Sequence, residues 1–153
     1  MSLPYENAKS GKAALGDIQK ILREFGAKSF GSMENFETGE LLIQFEWRER
    51  QVSLKANGKG YAAAWLRHHP WTQRMRSTKI EHERKALEQG MVSIYSVLRD
   101  WIKGQITAVE TGILSFEGAF LGQILLPSGR TVLEEAETSF LKIEGPKCRE
   151  NRP

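Results

Sequence analysis

Leu42-Ile43-Gln44-Phe45-Glu46-Trp47-Arg48-Glu49-Arg50-Gln51-Val52-Ser53-Leu54-Lys55 decides the fold class. Apolar and polar residues alternate on both sides of the charged triplet Arg48-Glu49-Arg50, and period-two alternation gives a strand one buried and one solvated face. A link this short and polar joins the two strands antiparallel. A further strand over Lys28–Met33, returning through the turn Glu37-Thr38-Gly39, would add to the ribbon. Two or three strands are marginal in water by themselves, so helices have to cover the sheet.

Those helices flank the strands. From Ala13, the apolar positions Leu15, Ile18, Ile21, Leu22 and Phe25 recur at three and four, and Gly26 follows them, which predicts an N-terminal helix. After Lys55, Asn57-Gly58-Lys59-Gly60 breaks the strand. The alanines of Tyr61-Ala62-Ala63-Ala64-Trp65-Leu66-Arg67 then favour a short helix that Pro70 ends. Ser77 or Thr78 can cap a long helix running toward Thr111, with the stripe Ile80, Leu87, Met91, Ile94, Leu98 and Trp101. A straight helix over 79–111 would measure roughly 50 Å, whereas a compact domain of this length is only about 40 Å across. We therefore expect a break or kink at Gly90, where a charged stretch gives way to an apolar one. Ser115–Leu121 predicts a short buried helix, and Pro127-Ser128-Gly129 a tight turn. The expected fold is α+β: a small antiparallel sheet of two or three strands packed against an N-terminal helix and a long C-terminal helical region with a break or kink.

A chain of 153 residues with 40% hydrophobic residues is enough for one core. We expect a single domain with loose ends at about 1–12 and 142–153. One cysteine, Cys148, excludes a disulfide scaffold and suits a reducing compartment. No apolar run approaches the roughly 20 residues that cross a bilayer, and Met1–Gly16 lacks the basic start and apolar block of a secretion signal. A cytoplasmic protein without membrane contact is the expectation.

Charge is unevenly distributed. Overall, 22 Lys and Arg face 19 Asp and Glu, a net of +3. Between Trp47 and Lys85, ten cations face three carboxylates, so this segment carries +7 and the remainder −4. Trp47, Tyr61, Trp65 and Trp71 lie among those cations. Cations that neutralise phosphates, with rings that stack on unpaired bases, suit nucleic acid; the ordinary alternative is a solvated face with arginine stems over core aromatics. Trp47 and Trp65 sit within apolar patterns and belong to the core, whereas Trp71 follows Pro70 and has more reason to be exposed. We expect Arg48, Arg50, Lys59, Arg67, Arg74 and Arg76 to contact phosphates and Trp71 to stack, although no zinc-finger or ribonucleoprotein signature supports them.

Evidence for chemistry is thin. His82-Glu83-Arg84-Lys85-Ala86 starts like a zincin helix, but Ala86 stands where the second ligand belongs. A metal-dependent nuclease built on His68, His82 and Glu81 is a lesser alternative that no spacing supports, so we assign no metal site and no cofactor. There is no Gly-x-Ser-x-Gly elbow, Ser10-Gly11-Lys12 is not a phosphate-binding loop, and no catalytic residue is assigned. The apolar helix 91–109 offers a protein–protein alternative: a homodimeric adaptor, or an inhibitor of a host factor.

Three segments carry a resemblance: Pro4-Tyr5-Glu6-Asn7-Ala8, Lys59-Gly60-Tyr61-Ala62-Ala63-Ala64-Trp65-Leu66 and Trp101–Leu121. From Pro4 to Leu133 the chain resembles a group of short proteins encoded by bacteriophages, prophages and related mobile elements. That resemblance implies a bacterial or phage cytoplasmic setting, in which small basic proteins assist DNA replication, recombination or packaging. The resemblance carries over no site residues.

Overall fold

A computed structural model describes residues 2–141; the end expected to be loose at 142–153, and Cys148 with it, lies outside the described residues. Helix α1 (Gly11–Phe25) leads into strands β1 (Ser29–Asn35), β2 (Glu40–Trp47) and β3 (Arg50–Asn57). Helices α2 (Gly58–His68), α3 (Lys79–Glu110), α4 (Phe116–Phe120) and α5 (Val132–Ala136) follow. The three strands form one antiparallel sheet in the order β1-β2-β3. This is the α+β arrangement that the alternation and the helical stripes predict. No described helix is long and apolar enough to cross a membrane.

The alternation sorts as expected. Leu41, Ile43 and Phe45 of β2 lie opposite Ala56, Leu54 and Val52 of β3, and all but the half-buried Ala56 are buried under the helices. Ile18 and Leu22 of α1, Ile94, Ile102 and Ile106 of α3, and Phe116 and Phe120 of α4 complete this core. The hairpin turn is tighter than the charged triplet suggests. Arg50 already pairs with Trp47, leaving only Arg48 and Glu49 in the turn, with φ of 45° and 65°. A two-residue turn that follows the strand twist needs this left-handed pair, which ordinarily selects Asn-Gly. Here two bulky residues adopt it, at about 1–2 kcal/mol each.

Helix α3 corrects the expectation at Gly90: the helix is unbroken over its 32 residues, about 48 Å. The glycine serves a crossing rather than a break. A Cβ at Gly90 would come within 2.3 Å of the Gly58 carbonyl oxygen, because α2 lies across α3 with backbones nearly touching. The length is accommodated by dividing the helix between two neighbours. Alongside its second half, α1 runs in the same direction, with Gly11 against the Tyr95 ring and Asp17 3.8 Å from Arg99. Along its first half, α2 runs the opposite way, from Gly58 beside Gly90 to His69 beside His82. A second, small cluster of Ala62, Trp65 and Ala86 fills the space between α2 and α3.

The N-terminal arm also departs from expectation. Residues 11 and 12 already belong to α1, and the preceding segment is tied across α2 and α3 rather than loose. The Tyr61 hydroxyl donates to the Pro4 carbonyl, Ser93 Oγ to the Tyr5 carbonyl at 2.8 Å, and Gln89 Nε2 to the Ala8 carbonyl at 3.1 Å. Tyr5 donates its own hydroxyl to Asp100 at 2.6 Å. At the other side of the sheet, the Leu125 amide donates to the Gln51 carbonyl, and Ile124 bridges Val52, so this segment covers part of the β3 edge. The turn at Pro127-Ser128-Gly129 forms as expected, with Gly129 at φ 86°.

Candidate nucleic-acid interface

The α2–α3 hairpin ends in a ten-residue connection, 69–78, whose shape follows from local bonds. At its start, Asn57 caps α2 by accepting from the Lys59 amide at 2.8 Å. Ala-rich α2 continues to His68, and Pro70 prevents another turn. At the far end, Thr78 and Glu81 form a reciprocal capping box, Glu81 N–H to Thr78 Oγ1 at 3.2 Å and Thr78 N–H to Glu81 Oε2 at 3.1 Å. Between these stops, the Trp71 indole N–H donates to the Ser77 carbonyl at 2.8 Å, and the Met75 amide to the Thr72 carbonyl at 3.1 Å. Trp71 is therefore half-buried and closes the connection on itself, where the sequence suggested an exposed stacking platform.

Beneath the connection lies an aromatic knot. Trp65, 7% exposed, has ring centroids at 4.6 Å to His69 and 5.1 Å to His82. His82 is buried with its Nε2 2.5 Å from the His69 carbonyl, and His69 Nε2 lies 2.7 Å from Glu6 Oε2. The His69 hydrogen bond holds the Glu6 carboxyl below its ordinary value, partly offset by desolvation. His69 and His82 thus fasten the arm and the helix ends together. No group of three His, Cys, Asp or Glu side chains that could hold a metal ion occurs among the described residues.

The seven residues expected to form one surface fall into three places. Arg67 in the last turn of α2, and Arg74 and Arg76 in the connection, are exposed at the same end of the hairpin. Lys59 lies at the opposite end of α2, about 15 Å away along the helix. Arg48 and Arg50 sit at the β2–β3 turn, the full length of β3 (roughly 23 Å) from the start of α2. Their surroundings differ as well. The Arg48 guanidinium lies 4.5 Å from the Trp47 ring, which is itself stacked between Phe25 and Phe116, and Arg50 pairs with Glu117 at 3.4 Å. The expected continuous basic face is thereby reduced to the hairpin end, because linear proximity does not say which end of a strand or helix a residue occupies.

Lys79, which the sequence reading did not nominate, joins that end at the start of α3. From 67 to 85, six Lys and Arg face two carboxylates, a net of +4. Among the described residues, Arg67, Arg74, Arg76 and Lys79 have no salt-bridge partner. Arg50, Lys55, Arg84, Arg99 and Arg130 are each paired. The signal that could have found Lys79 is the Thr78 cap, since a helix start fixes the residue after it at the hairpin end.

The apolar helix 91–109 is mostly internal: Ile94, Ile102 and Ile106 are buried, while Val97 and Trp101 remain over a third exposed. No family model, curated protein or solved structure matches the chain.

Proposed function

We propose that this chain is a small accessory protein of the phage type that binds nucleic acid through the end of its α2–α3 hairpin, without chemistry of its own. Arg67, Arg74, Arg76 and Lys79 contact phosphates, and Trp71 keeps the connection in the shape that presents them. The observation that carries this reading is the clustering: Arg67, Arg74, Arg76 and Lys79 are exposed together at one end of the hairpin, and none of the four has a carboxylate partner among the described residues. Unmatched clustered cations release counterions when they meet phosphates, which gives affinity with a steep salt dependence and little sequence preference. An interaction protein working through helix 91–109 has less in its favour, because the core covers most of that stripe.

Fluorescence anisotropy with labelled single- and double-stranded oligonucleotides tests the proposal. Binding should weaken steeply with salt, and Arg74→Ala/Arg76→Ala should lower the log–log salt slope by about two, one per phosphate contact removed. Absence of binding at low salt would refute it.

A further inference from the structure

The face of α3 that covers the core continues past the end of that core. Ile80, Arg84, Leu87 and Met91 are spaced four, three and four, so they share one side of the helix. Met91 and Leu87 are half-buried against the ends of the sheet and α2, and Ile80 is 78% exposed. Beside this stripe lies an open depression of about 430 Å³, lined by Leu87, Met91, Val92 and Tyr95 of α3, with Gly11, Glu34 and Glu88. An exposed isoleucine and an apolar hollow therefore occupy one helix face, about 18 Å apart along the axis.

Charge on the same face is self-complementary. Arg84 and Glu88 are exposed and lie 2.5 Å apart within one helix. If a second copy of α3 runs antiparallel with its twofold axis at residue 86, each Arg84 meets the Glu88 of the other copy. That same register sets each Ile80 opposite the other copy's Val92, at the hollow. One ionic and one steric feature of this face thus fit a single alignment, and symmetry satisfies each of them twice.

We infer that the chain forms an antiparallel homodimer through residues 80–92 of α3, with Ile80 of each copy seated in the other's hollow between Val92 and Tyr95. The inference does not rest on nucleic-acid binding. Where both hold, the two Lys79 residues lie about 21 Å apart along the shared helix direction, so the two basic ends flank the centre of the pair.

Charge reversal tests this alignment without disturbing the core, since both side chains are more than 60% exposed. Arg84→Glu alone sets glutamate against Glu88, and Glu88→Arg alone sets arginine against Arg84. Sedimentation equilibrium should find wild type as a dimer and each single variant with its dissociation constant raised about tenfold or more, there being two repulsive contacts per dimer. An equimolar mixture of the two variants restores both attractive pairs and should dimerise like wild type. Circular dichroism confirms that each variant remains folded. Monomeric wild type, single variants that dimerise unchanged, or a mixture no tighter than its components would each overturn the inference.

Discussion

The sheet-side core and the α2–α3 hairpin hold together by different means. The core buries large side chains from every element it touches, among them Phe120, Ile18, Leu22, Leu41, Ile43 and Ile102 at under 2% exposure. The hairpin buries Trp65, His82 and two alanines. It relies instead on backbone approach at Gly58 and Gly90 and on hydrogen bonds that Tyr61, Gln89 and Ser93 donate to the arm. Apolar burial of this kind tolerates some rearrangement, whereas close backbone contact and hydrogen bonds fix geometry. The hairpin is thus suited to presenting charged side chains at a defined place, and the core to supplying stability.

The largest test of that contrast is Phe120→Ala. It removes the ring packed edge-on to Phe45 and Trp101 and should lower global stability by about 3–5 kcal/mol, measured by denaturant unfolding. Gly90→Ala should cost less, about 1–3 kcal/mol, and should act locally. Its Cβ meets backbone, not a flexible side chain, so hydrogen exchange should speed up in α2 and the first half of α3 and stay slow in β2. Uniform loss of protection in both regions would erase the distinction.

A smaller effect lies at the junction. Tyr95, whose hydroxyl donates to Glu34 at 3.0 Å, has its pKa pushed up to about 12 by burial and by that bond. A phenol held neutral in the fold stabilises it fully below the ordinary value of 10 and loses that contribution as pH rises toward 12. Tyr95→Phe should therefore unfold with less pH dependence between 10 and 12 than wild type. Equal alkaline sensitivity would mean that the Tyr95 phenol is not held neutral by the fold.

How far each region could be read from sequence follows from the same contrast. Periodicity exposes burial, so the strands, α1 and the core placement of Trp47 and Trp65 were legible. The Thr78 cap was legible because capping is local chemistry. Gly90 was not: a glycine in a helix suggests weakness, and only its distant partner Gly58 explains it as a crossing. The arm was hidden because three of its bonds use the carbonyls of Pro4, Tyr5 and Ala8, which every residue possesses, and its side-chain bonds, Tyr5 to Asp100 and Glu6 to His69, join residues far apart in sequence. Nor could charge counting separate Arg48 and Arg50 from Arg74 and Arg76, since strand length and helix direction set that distance.

The central claim is that the hairpin end, and not the whole basic segment, meets nucleic acid. Its most direct test is to compare the salt dependence of oligonucleotide binding for Arg74→Ala/Arg76→Ala and Arg48→Ala/Arg50→Ala. Both pairs remove the same formal charge, one from the hairpin end and the other from the β2–β3 turn, where Arg50 is paired with Glu117. The account predicts that the first pair weakens binding and flattens the salt slope by about two, while the second leaves the slope within about half a unit of wild type. Equal losses in both pairs, or a loss confined to Arg48 and Arg50, would contradict it.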